Sequence, residues 1–176
     1  MRWLAALLLA AAAPDSGARA VSVPLGGPVS GITGEAWPAR STMHEVKGPV
    51  ELTVVLPSGR RYVAATRSAI VNTKEDRATV RSIYVDLGTA PTWAAIVEAS
   101  QAPLIALGVA AERREAWKKK LLEKPVPFPS YPVEGCVVVT TTLREKRGAG
   151  YYLSLELSQV DPALWHRPAD WPDTCR

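Results

Sequence analysis

Residues 50–71 carry the pattern that most limits what this chain can become. Val50, Leu52, Val54 and Leu56 alternate with Glu51, Thr53 and Val55, the period of two expected of a strand with one face buried. The stretch LPSGRR follows. Pro57 suits the first central position of a type I turn, and Gly59 the left-handed position that closes such hairpins. Tyr62 to Val71 then returns as a second strand, bent at Ala64-Ala65. NTKEDR reads as a charged turn, and Thr79 to Leu87 as a third strand. Arg81, Ile83, Val85 and Leu87 share one of its faces, with Val80, Tyr84 and Asp86 on the other. Three successive strands joined by short turns pair antiparallel.

The pattern changes after Gly88, which is expected to end the third strand. Pro91 fits the first turn of a helix to about Gln101, and Pro103 opens a second one through Lys124, with Ala106, Ala110, Trp117 and Leu121 on one stripe. Glu115 faces Lys119 at the favourable helical spacing. Pro103 to Val109, PLIALGV, reads equally well as a buried strand broken at Gly108. KPVPFPSYP is a stiff extended connector, and its Pro129–Pro132 spacing also fits a polyproline ligand. Cys136 to Arg144 and Tyr151 to Ser158 form a second hairpin around EKRGAG. Asp161-Pro162 caps a single helical turn ahead of a tail that contains tryptophan. The expected fold is α+β, in the order β-β-β-α-α-β-β: an antiparallel sheet of about five strands with helices packed on one face.

The chain opens with a positive Arg2 and an unbroken apolar run from Trp3 to Ala13, broken by Pro14 to Gly17. That is the length of a secretory core and too short to span a bilayer. Ala18-Arg19-Ala20 fits a small-x-small cleavage pattern, placing the mature start at Val21; Ala11 to Ala13 is a second site, but Pro14 follows it directly. The domain plan is a signal peptide at 1–20, a flexible Pro/Gly-rich arm at 21–48 anchored by Trp37, and a single domain at 49–176. The alanine-, arginine- and proline-rich composition suits a bacterial envelope or extracellular protein. No later stretch is long and apolar enough to cross a membrane.

Secretion bears on the cysteines. Cys136 and Cys175 are the only two, and an oxidising compartment lets them pair. Such a bridge closes a loop of about 40 residues, worth roughly 4 kcal/mol in the chain-entropy model, and tethers the C-terminal tail. The formal charge of +4 becomes +3 once Arg2, Asp15 and Arg19 leave with the leader. That is too mild to predict nucleic-acid binding.

The chain offers little for catalysis. His44 falls in the arm and His166 beside Trp165, and two histidines with scattered carboxylates do not make a metal site. His166 with Asp170 supplies a histidine and an orienting acid, but no nucleophile elbow accompanies them. Ser58 belongs to the hairpin turn. Phosphate-loop and dinucleotide motifs are missing, so no cofactor is expected. ERREAWKKKLLEK offers Lys118, Lys119 and Lys120 as a docking surface for an anionic partner, or as an ordinary outer helix face. The tail offers Trp165, His166, Arg167 and Trp171. The expected function is non-catalytic binding of an unknown protein or envelope polymer. The rivals are a small secreted hydrolase and a structural subunit of an envelope complex.

Overall fold

The computed structural model describes residues 17–124, 129–146, 148 and 150–161. Seven strands form one sheet: β1 (Arg19–Pro24), β2 (Met43–Val55), β3 (Arg61–Thr73), β4 (Val80–Ala90), β5 (Ser130–Glu134), β6 (Val137–Lys146) and β7 (Gly150–Gln159). Their spatial order is β1-β2-β3-β4-β7-β6-β5. Between β4 and β5 lie α1 (Trp93–Ala99), which runs through Ser100 into α2 (Gln101–Ala106), and then α3 (Ala111–Glu123).

The expectation of about five antiparallel strands with helices over one face does not hold. The sheet has seven strands and is mixed, because β1 pairs parallel to β2 while every other pair is antiparallel. Both missed strands were hidden by glycine and proline. Val21 and Val23 alternate with Ala20, Ser22 and Pro24 in β1, but the Gly- and Pro-rich loop behind them reads as an unstructured arm. β5 contains Pro132, which is tolerated on an edge strand. Two further boundaries differ. β4 continues past Gly88 to Ala90, and Pro103–Val109, ambiguous in the sequence, is helical only as far as Ala106, so the helix expected from Pro103 through Lys124 is divided into α2 and α3.

The central hairpin behaves as its sequence dictates. Leu56 N–H donates to Arg60 O at 2.8 Å, and Gly59 N–H to Leu56 O at 2.8 Å. Inward-facing Leu52, Val54, Tyr62 and Ala64 join Val21 and Val23 of β1 and Ile83 and Val85 of β4 in the main core. Tyr131, Val137, Val139, Leu155 and Leu157 extend it across β5, β6 and β7, and Leu104 of α2 and Leu107 just after it cover part of it. A second cluster sets Ile96 and Val97 of α1 and Leu121 of α3 against Leu143 and Leu153.

The sheet is fastened at both ends. Arg60 Nη1 lies 3.3 Å from Glu134 Oε2, and its Nη2 donates to Leu107 O at 2.8 Å, tying the β2–β3 turn to β5 and α2. At the other end, Gly26 N–H donates to Val80 O and Val80 N–H to Gly27 O, both at 2.9 Å. The free edge of β1 is occupied too, because Ser22 and Thr33 exchange two backbone hydrogen bonds of 3.0 Å. Gly34 makes that approach feasible. Its φ is +77°, and a Cβ there would sit 1.9 Å from Ala20 O.

Leu155 is fully buried in the main core, whereas Leu122 is 49 % exposed. Leu155→Ala is expected to lower unfolding free energy by about 2–5 kcal/mol, and Leu122→Ala by less than about 0.5 kcal/mol, in urea denaturation.

Candidate functional site

Side chains directly opposite one another in a sheet share a face, so the strand register defines the surface opposite the core. One row runs Ile70–Tyr84–Glu156–Thr140–Ser130 across five strands. A second runs Asp86–Ser154–Thr142, and a third Thr89–Tyr152–Arg144. The row on the other side is Asn72–Ser82–Ser158–Val138–Pro132. This face is therefore dense in hydroxyls.

Its groups are held in place. Ser154, fully buried, donates its hydroxyl to Tyr84 OH. Arg144 lies over the Tyr152 ring, 5.3 Å from its centre. Burial, followed by the hydrogen bond and charge of Tyr84 and the charge of Asp86, pushes the Tyr152 hydroxyl up to about 12. At neutral pH it keeps its proton and can donate a hydrogen bond. Asp86 Oδ1 accepts from Gly88 N–H at 2.8 Å, and the Asp86 carbonyl accepts from Thr66 Oγ1 at 2.7 Å. Gly88, at φ +98°, sits where the β4–β7 register shifts by one residue. That shift turns Thr89, and not Gly88, toward Tyr152. Ser158 donates to Glu156 at 2.9 Å, and Ser130 and Thr140 share a hydrogen bond of 2.9 Å. Together these make a preorganised array of donors and acceptors with two carboxylates and one guanidinium.

The second polar cluster is smaller. Glu35, in the loop after β1, takes Arg19 on one carboxylate oxygen and His44 Nε2 on the other, the latter at 3.2 Å. Trp37 packs edge-on against the His44 ring at 5.8 Å. Burial pushes the Glu35 carboxyl up, but the hydrogen bonds and charges of Arg19 and His44 outweigh it and hold it below the usual carboxylate range. His44 was expected in a flexible arm; it stands at the start of β2, oriented by an acid. Among the described residues no serine, threonine or cysteine hydrogen-bonds to its ring, so the histidine–acid pair has no nucleophile to activate. Among the described residues no group of three His, Cys, Asp or Glu could hold a metal.

The lysine surface proposed from sequence is largely engaged within the fold. Lys118 Nζ lies 2.6 Å from Glu98 Oε2, joining α3 to α1, and that hydrogen bond leads the effects that raise its pKa. Lys120 stands over the Trp117 ring at 5.1 Å. Lys119 is exposed. Trp165, His166, Arg167, Trp171 and Cys175 lie outside the described residues. None of the described cysteines is free. Val160 N–H donates to Cys136 O at 2.8 Å, so the chain leaves β7 beside Cys136.

The hydroxyl face escaped the sequence reading because each strand there alternates correctly and its outward residues look like ordinary solvated positions. Only the pairing of β4 with β7 brings Tyr84, Ser154 and Tyr152 together. A signal was present in Thr140, Thr142, Ser154, Ser158, Tyr84 and Tyr152, all at alternate positions and nearly free of lysine. No family model, curated protein or solved structure matches this chain.

Because the Glu35 carboxyl is depressed in the folded state, its contribution is present above its ordinary unfolded value and is lost as pH falls through the folded one. Glu35→Gln is expected to flatten the fall in melting temperature below roughly pH 5 while changing stability little in slope above it. Scanning calorimetry across pH 2–7 checks this; equal acid slopes in the two proteins would count against the pairing.

Proposed function

We propose that this is a secreted or periplasmic non-catalytic binding protein of the bacterial envelope, and that it holds a hydroxylated polymer on the outer face of β4, β7, β6 and β5. The observation that carries the reading is the four-strand array of hydroxyl, carboxylate and guanidinium groups around Tyr84, Ser154 and Tyr152. A glycan presents many hydroxyls in fixed relation. A surface whose own polar groups are already positioned loses little entropy on meeting it. Aromatic residues with polar tips suit such contacts.

The export part of the reading rests on the leader-like sequence at residues 1–20. No helix among the described residues is long and apolar enough to cross a membrane. The tail part rests on the proposed Cys136–Cys175 bridge. Val138, Pro132 and Ser82, in the row nearest Cys136, are buried, and no described helix or strand packs on that face. A bridge to Cys136 would hold Trp165, His166, Arg167 and Trp171 beside the hydroxyl face, extending it with aromatic surface.

Both rivals find less support. A hydrolase needs a nucleophile at His44 or a working group at His166. A subunit built for strand addition would offer an open apolar edge, whereas β1 is paired by Thr33 and β5 carries Pro132. The large exposed apolar residues Met43, Val63, Ile105 and Leu122 sit on four different elements.

Binding of the mature protein to peptidoglycan sacculi and a panel of soluble bacterial polysaccharides tests the reading by co-sedimentation and calorimetry. Tyr152→Ala is expected to weaken binding at least about tenfold, while Lys119→Glu and His44→Ala leave it within about twofold. Binding lost with His44→Ala but kept with Tyr152→Ala would sink the proposal. Separately, Cys175→Ser is expected to lower stability by roughly 2–4 kcal/mol in non-reducing denaturation. Full labelling of both thiols in the exported protein would disprove the bridge.

A further inference from the structure

We infer that the leader is removed by hydrolysis of the Ala18–Arg19 peptide bond, so that the mature protein begins at Arg19. The inference rests on the export reading above. The Ala18-Arg19-Ala20 pattern would place the cut two residues later, inside β1. There the two residues lost are ones that the fold uses. Arg19 pairs with Glu35, donates to Gly34 O at 2.8 Å and reaches Lys47 O at 3.4 Å. Removing it leaves the mostly buried Glu35 carboxylate with His44 as its remaining side-chain partner. Arg19 and Ala20 also form the first two register positions of the parallel pair, opposite Val50 and Glu51.

Gly34 supplies an independent argument. Ala20 O would lie 1.9 Å from a Cβ at that position, and Gly34 holds φ +77°. The Ala20 carbonyl fills the space that a side chain would take at Gly34, a close packing contact that a start at Val21 would discard. A start at Val21 would also place the new α-ammonium within the β1–β2 pair, opposite Leu52. Arg19 and Ala20 are exposed, so an ammonium on Arg19 remains in water.

Ser16-Gly17-Ala18 meets the requirement of the cutting enzyme, with small residues one and three positions before the scissile bond. Water adds across the Ala18–Arg19 amide under an export-side signal endopeptidase, leaving a carboxylate on Ala18 and an ammonium on Arg19. The same small-x-small rule accepts Ala18 and Ala20 as the last leader residue. The fold distinguishes them, since only the first cut leaves β1 whole.

The test is N-terminal sequencing and intact mass of the protein exported from the full-length chain, beside Ala18→Leu and Ala20→Leu variants. A mature chain starting at Arg19, lost in Ala18→Leu and unchanged in Ala20→Leu, supports the inference. A start at Val21 that survives Ala18→Leu, or a start upstream of Arg19, overturns it while export stands. Full-length precursor retained in the cytoplasm overturns the export reading itself, and this inference with it.

Discussion

Pairing of β4 with β7 makes this molecule one sheet. Without it the chain holds two separate units, the β1–β4 layer and the β5–β7 layer, each with an apolar face larger than it can cover. The register from Ser82↔Ser158 to Ala90↔Tyr151 aligns Ile83 with Leu157 and Val85 with Leu155 on the core side. On the other side it aligns Tyr84 with Glu156 and Asp86 with Ser154. A slip of one residue would exchange those faces, burying carboxylates and exposing leucines. The one-residue shift between Asp86 and Gly88 is the single tolerated departure, and it falls beyond the core row. The helices between β4 and β5 then have a defined task. They cover the cluster at Leu143 and Leu153 that the strands leave open, with Trp93 Nε1 donating to Leu121 O at 2.7 Å to lock α1 against α3.

That same pairing separates the two polar clusters in character. Arg19, Glu35, His44 and Trp37 form a local clasp, holding the loop after β1 to the start of β2. Their arrangement explains a carboxylate held below its usual range and a histidine fixed in one orientation, both as consequences of closing an edge. Tyr84, Tyr152, Ser154 and Arg144 join three strands drawn from distant parts of the chain. Ser154 and Tyr84 bond across the β4–β7 pair, and Arg144 lies over Tyr152 across the β6–β7 pair.

Local chemistry was legible in the sequence, and long-range pairing was not. The alternation from Val50 to Leu56, the Pro57–Gly59 turn and the EKRGAG hairpin each act within a few residues, and each stands in the structure close to where it reads. β1 was obscure because six residues of alternation lie against a glycine- and proline-rich loop. Its partner β2 is also parallel, so no tight turn announces the pair. β5 was obscure because Pro132 argues against a strand unless the strand is known to be an edge. The site was obscure for the same reason as the pairing, since Tyr84 and Ser154 are far apart in sequence and meet across one strand boundary. Lys118 and Lys120 misled in the opposite direction. Their density suggested a docking surface, while Glu98 and Trp117 take two of the three charges for internal packing.

The treatment of the sheet margins has a wider consequence. Thr33 occupies the outer side of β1, and Pro132 removes a donor from β5. A chain with thirteen-residue strands rich in valine would otherwise offer templates on which neighbouring copies could elongate as fibrils. A chain that folds among many identical copies is exposed to that hazard at its most crowded moment. Blunted margins let each copy finish alone, so a high local abundance need not become an insoluble deposit.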